Sequence, residues 1–312
     1  MQSESVIKTN ILKKKHFMQA RQIRINLFVC FMLLGQFVNF VIFWLIVNID
    51  SFVLPFQNDK TGAWTLDNFR YLFTVISAKN SPILLNLRNT VYSYLVNMFA
   101  GYVMGIFFAY FLHRKIFGNR VFSVIFMLPE ILSSVVLVAI YKNIFGVTGP
   151  FSQIYNSITG RFFPNLLYDS KTATPMILSY VLFTGFCNNL ILFSGTMSTV
   201  SEEIYESATL DGAGELRIMV SITIPIISPT IWIMLMFSSM SVFGASGPVL
   251  LFTGGMYETS TFSYWFYEKV ILSGERGVPA ALGVLMSIAN LPFLIICLYL
   301  RIKTMKGEES LV

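Results

Sequence analysis

Carboxylates gather at Glu202, Glu203, Glu206, Asp211 and Glu215, with Arg217 the one base among them. Such a run invites metal or acid–base chemistry, but the rest of the chain does not supply the partners. The only histidines are His16 and His113, one in the amino-terminal stretch and one at the edge of an apolar block, so no histidine-based metal or catalytic set is on offer. Cys30, Cys187 and Cys297 each lie inside an apolar block, have no CxxC spacing, and read as membrane-buried thiols rather than a disulfide or a metal site. No GxxxxGK[ST] phosphate loop occurs, so the sequence offers no nucleotide site of that kind. The acidic run therefore lacks partners for metal or histidine-based chemistry, and its role is the central question.

A second set of polar residues sits inside apolar blocks: Asn97, Glu130, Ser133, Ser134, Asn188, Asn189, Ser238, Ser239, Ser241 and Asn290. A Ser or Asn in such a place usually hydrogen-bonds a neighbouring helix. A carboxylate at membrane depth is costly, so Glu130 faces a cavity or a partner, or caps a helix start. Tyr180, Phe183, Trp232 and Phe237 are able to stack on sugar rings, although most aromatics here will face lipid or core. Tyr180, Asn188, Asn189, Trp232, Ser238 and Ser239 are the candidates for lining a polar path, on the fourth and fifth spans.

The elements that position these residues are membrane spans. Of 312 residues, 55% are hydrophobic and 12% charged, against roughly 25% charged in a soluble domain. The apolar residues form blocks at 27–49, 89–112, 122–144, 174–197, 222–244 and 278–300, each near the roughly 20 residues that a helix needs to cross a bilayer. Pro129, Pro225, Pro229 and Pro292 fall within or beside these blocks and should kink or start helices. The first block is too long for a signal-peptide core and lacks a small-residue cleavage site.

The net charge of +6 does not mark a nucleic-acid binder, because the basic residues cluster beside apolar blocks, at Lys13, Lys14, Lys15, Arg21 and Arg24, at Arg114, Lys115 and Arg120, and at Arg301, Lys303 and Lys306. They put both termini and the 113–120 loop in the cytoplasm. The expected plan is a cytoplasmic tail 1–26, a first span 27–49, an external segment 50–88, a core 89–300 with five spans and the loop 198–221, and a cytoplasmic tail 301–312. External segments are expected at 50–88, 146–173 and 252–277.

Span counting puts 198–221 in the cytoplasm, and acidic residues weigh little in the orientation rule. Thr199 or Ser201 can cap a short helix whose first turn holds Glu202 and Glu203, at the positive end of the helix dipole. Ile204, Ala208 and Leu210 are expected as its apolar ridge. Asp211 and Gly212 should interrupt it, and a second amphipathic stretch then runs from Ala213 towards Ile222. A connector resting on the membrane surface is the bland alternative; the acidity of the loop opposes it, since anionic lipids repel it.

Glu206, Ser207, Ala208, Asp211, Gly212 and Ala213, followed by Ile222, Thr223, Ile224, Pro225 and Pro229, resemble the EAA signature of binding-protein-dependent ABC importer permeases. The spacing agrees, with Ser207, Met219 and Ile224 as size-tolerant departures. Thr253, Gly254, Gly255, Thr261 and Tyr267 resemble the carbohydrate-type permeases of the maltose, lactose and glycerol-phosphate group. Trp64, Thr65, Leu66, Asn68 and Phe69, Asn89 and Thr90, Leu128 and Pro129, and Gly277 with Ala280, Ala281 and Leu282 fit the same pattern.

That resemblance implies an all-α membrane fold of six transmembrane helices with a cytoplasmic coupling helix, in a bacterial inner membrane. It implies a second permease subunit in a heterodimer, two ATPase subunits that bind ATP and Mg, an external solute-binding protein, and no cofactor in this chain. Glu206, Ala208, Asp211, Gly212, Ala213 and Pro225 would belong to the ATPase-coupling region, with Glu206 and Asp211 orienting the loop through hydrogen bonds or ion pairs. The solute would be an oligosaccharide or glycoside, or alternatively a phosphorylated polyol such as glycerol phosphate. A channel would not need the EAA-like loop.

Overall fold

The computed structural model describes residues 22–79, 81–244 and 247–309. Nearly all of the amino-terminal tail expected at 1–26 and the last three residues of the carboxyl-terminal tail lie outside the described residues. The described chain is a bundle of helices whose one β-type pairing is an isolated bridge from Gln57 to Trp64.

In chain order the helices are α1 (Gln22–Phe56), α2 (Asp67–Ser77), α3 (Pro82–His113), α4 (Asn119–Ile131), α5 (Ser134–Phe145), α6 (Pro150–Thr159), α7 (Ala173–Met197), α8 (Glu202–Leu210), α9 (Glu215–Met240), α10 (Val249–Phe252), α11 (Phe262–Tyr267) and α12 (Gly277–Glu309). Six helical stretches are long and apolar enough to cross a membrane: Gln22–Phe56, Pro82–His113, Ser134–Thr159, Ala173–Met197, Glu215–Met240 and Gly277–Lys303.

The third stretch, Ser134–Thr159, departs from the single helix expected over 122–144. The first part of the expected span is a separate helix, α4, parted from α5 at Leu132 and Ser133. Pro129 removes one backbone donor inside α4, and Ser133 then restarts the helix, its hydroxyl accepting from the Val136 amide at 3.4 Å. Both pieces touch α7: Phe126 of α4 packs on Phe186, and Tyr141 of α5 on Tyr180. The helix pauses again at Gly146 to Gly149 before α6.

Small residues let α3 and α7 approach closely. A Cβ placed on Gly105 of α3 would lie 2.8 Å from Asn189 Cβ, and one on Gly185 of α7 would lie 2.4 Å from Asn97 Oδ1. Elsewhere α12 packs on α9, on α2 and on the Leu54–Phe56 turn that ends α1. The apolar window of α1 itself has 0% of its residues buried inside this chain.

The two ends of the bundle are tied differently. At one end, Asp59 accepts from the Arg276 and Gly277 amides at 2.9 Å, Asn89 Nδ2 donates to the carbonyls of Glu258 at 2.7 Å and Ser260 at 2.8 Å, and Lys142 Nζ donates to Leu251 O at 2.8 Å. These bonds join the first and last of the segments expected to be external, and the Tyr168 ring packs on Tyr257 to bring in the second. At the opposite end the 113–115 turn meets the 198–221 loop.

Candidate functional site

The loop begins where α7 ends. Ser201 caps α8, its hydroxyl accepting from the Glu203 amide at 3.3 Å, and Glu202 and Glu203 occupy the first turn. The helix stops in a Schellman motif: the Gly212 amide donates to Thr209 O and the Ala213 amide to Ala208 O, both at 3.0 Å. Gly212 takes φ +80°, which an L side chain seldom adopts. The motif also explains the small residues on either side, because Ala208 and Ala213 close against the same core cluster. A Cβ on Gly212 would meet nothing within 4 Å, so that face of the turn is open.

The buried face of α8 is not the ridge expected from Ile204, Ala208 and Leu210. Tyr205 at 1% exposure and Ala208 at 8% face the bundle, whereas Ile204 is 40% and Leu210 88% exposed. Residues three apart share a helix face, and the phase is set by Tyr205, whose ring packs against Tyr110 and His113 and whose hydroxyl accepts from Thr223. Leu210, Ile204, Leu216 and Val220 are left as exposed apolar residues on and after the loop.

The orienting contacts also differ from expectation. Among the described residues, the loop's ion pairs come from Glu202 and Glu215 rather than Glu206 and Asp211. Arg114 grips Glu215 through two bonds, Nη2 to Oε1 at 2.8 Å and Nε to Oε2 at 3.1 Å, and the buried Tyr110 hydroxyl donates to the same Oε2 at 2.6 Å. The Arg114 guanidinium lies 5.1 Å from the centre of the Tyr205 ring. Lys115 Nζ reaches Glu202 Oε1 at 2.9 Å and holds that carboxyl below its ordinary pKa. Glu206 lines a cavity of about 200 Å³ with His113, Arg114, Lys115, Glu202 and Tyr205. Pro225 follows a π-helical turn over Met219–Thr223, which accommodates the donor that proline lacks.

The polar-path candidates are not gathered into one site. Asn188 is exposed and donates to Glu130 Oε2 at 3.3 Å. Its position nine residues before Met197 puts that pair roughly 14 Å along α7 from the loop end, well inside the bilayer. Asn189 is buried against α3. Ser239 is buried, its hydroxyl donating to Met236 O and its carbonyl accepting from Asn290 Nδ2, both at 2.7 Å. Ser238 and Trp232 are half-buried. Tyr180 is buried beside Tyr141 and Phe252. Ser263 and Ser287, which sequence reading passed over, line a groove of about 370 Å³ with Asn290. Among the described residues no group of three or more His, Cys, Asp or Glu side chains converges to hold a metal.

The family described as binding-protein-dependent transport system inner membrane component matches residues 101–303, which hold both the loop and the Glu130–Asn188 pair. A multiple sugar-binding transport system permease protein of Streptococcus mutans is 24% identical over 261 residues, 80% of this chain and 89% of that one. A trehalose transport system permease protein of Mycobacterium tuberculosis is 26% identical over 209 residues, 64% of each chain. A crystal structure of a bacterial ABC transporter involved in import of the acidic polysaccharide alginate superposes with a TM-score of 0.77 at 19% identity, over 91% of this chain and 98% of that one.

Proposed function

Because the chain belongs to the binding-protein-dependent transport system inner membrane components, we propose that it forms half of the path of an ATP-driven importer for a carbohydrate, an oligosaccharide or glycoside delivered by an external binding protein. The observation that carries this reading is the loop: a capped helix, a left-handed glycine turn and a second helix start, anchored from behind and bare in front. Leu210, beside the turn, is the kind of exposed apolar group that a protein partner covers. That partner is an ATPase subunit, one of two, which binds the ATP and Mg. Gly212 lets it approach, Ala208 and Ala213 keep the turn compact, Glu206 and Asp211 present exposed carboxylates to it, and Pro225 starts the span that receives the motion.

The basic 113–120 loop sits at the same end as the acidic loop, which supports cytoplasmic termini and an external end that holds Asp59, Glu258 and Gly277, where a binding protein would dock. A second permease subunit completes the path and gives α1, unburied in this chain, a surface to meet. The carbohydrate reading is supported by the sugar and trehalose systems named among the relatives. A phosphorylated polyol has no such support, and Glu130, a carboxylate at membrane depth beside Asn188, opposes an anionic solute.

Affinity purification of the tagged chain with the proteins made beside it tests the reading. ATPase subunits and a second permease should come with it, and the assembly should hydrolyse ATP faster when its binding protein is added. A chain that purifies with its spans folded and without a nucleotide-hydrolysing partner would overturn it.

A further inference from the structure

The loop is fastened twice to one short turn. Lys115 holds Glu202 at the start of α8, and Arg114 holds Glu215 at the start of α9, so adjacent residues of the 113–115 turn grip both flanks of the glycine bend. That turn is not part of α7 or α9, the two spans that the loop joins. It closes α3, whose Tyr110 also bonds Glu215. The two grips are unequal. The Arg114 pair is bidentate, backed by a fully buried tyrosine and roofed by Tyr205, whereas the Lys115 pair has side chains that are 71% and 70% exposed.

We infer that Arg114 and Glu215 are positioning residues that make α3 a third receiver of force from the coupling loop, besides α7 and α9. A push on the bend is then delivered to α3 through the Arg114–Glu215–Tyr110 cluster. From there it reaches the α3–α7 contact at Gly105 and Asn189, where the two helices approach closely. This rests on the coupling reading above and adds a path that the loop's covalent connections do not provide.

The test uses the assembled importer in lipid, in a cysteine-free background, with a single cysteine at Val103 on α3 or at Ile226 on α9, both exposed in this chain. Maleimide reactivity is read with and without a non-hydrolysable ATP analogue. In the parent assembly both positions should change reactivity on nucleotide binding. Glu215→Ala should return the Val103 site to its nucleotide-free reactivity while the Ile226 response remains. Combining Arg114→Glu with Glu215→Arg should restore the Val103 response, a rescue that general loosening of the fold would not give. Persistence of the Val103 response in Glu215→Ala would overturn the inference, as would loss at both positions or failure of the exchanged pair to rescue. Silence of both positions in the parent assembly would overturn the coupling reading as well.

Discussion

The 198–221 loop and the polar residues at mid-membrane are built on different principles. The loop is dense with constraint: a cap, a Schellman turn, two ion pairs and a buried Tyr205 fix its shape before any partner arrives. The mid-membrane set is sparse, one 3.3 Å bond from Asn188 to Glu130 in one place and Ser239 with Asn290 in another. A rigid lever suits a part that must pass on the same stroke in every cycle. A scattered set of polar groups suits a surface completed by a second subunit and adjusted to one solute.

Breaking the lever should have the largest effect. Gly212→Val places a β-branched residue at φ +80°, a strain of about 1–2 kcal/mol, and projects a side chain from the open face that the ATPase would cover. Uptake and binding-protein-stimulated ATP turnover should both fall to background with the chain still inserted, as measured on the purified assembly. Gly212→Asp should lose less backbone stability, since Asp tolerates this conformation better, but still fail in coupling. A smaller loss should follow from crowding the bundle: Gly105→Val presses on Asn189 and should cost about 1–3 kcal/mol of stability, seen as a lower unfolding temperature in detergent. Gly195→Ala, with nothing within 4 Å, should leave that temperature unchanged or raise it.

At mid-membrane, Glu130→Gln should leave assembly intact and alter solute preference, relieving discrimination against an acidic oligosaccharide relative to a neutral one of equal length. Equal competition by the two sugars in parent and variant would remove Glu130 from the path. The smallest effect concerns pH. Lys115 lowers the Glu202 pKa, so the anchoring contributed by this pair is fully present above the unfolded value of about 4.3 and is lost as pH falls through the lower folded value. Glu202→Gln should therefore flatten the dependence of loop protection from proteolysis only below about pH 4.

The spans and the glycine turn were legible because each is written in adjacent residues: long apolar blocks, and Asp211-Gly212-Ala213 after an amphipathic stretch. What was not legible depends on distance along the chain. Glu215 finds Arg114 across 101 residues and Glu202 finds Lys115 across 87, so no local pattern singles them out from Glu206 and Asp211. The phase of α8 is decided by Tyr205 packing on Tyr110, which turns Leu210 outward against its hydrophobicity. The break at Ser133 hides in a continuous apolar run, with Pro129 and the serine pair as its only signals. Asn189 and Ser239 look like Asn188 and Ser238 in sequence, and only packing separates the buried members from the accessible ones.

Docking of the bare face of the loop on an ATPase would bury Leu210, so protection of that position is the decisive measurement. A cysteine at Leu210, the only one in the chain, is exposed to a hydrophilic maleimide in the intact assembly and again after the ATPase subunits have been stripped away. Little labelling is expected in the first state and full labelling in the second. Equal labelling in both would contradict docking.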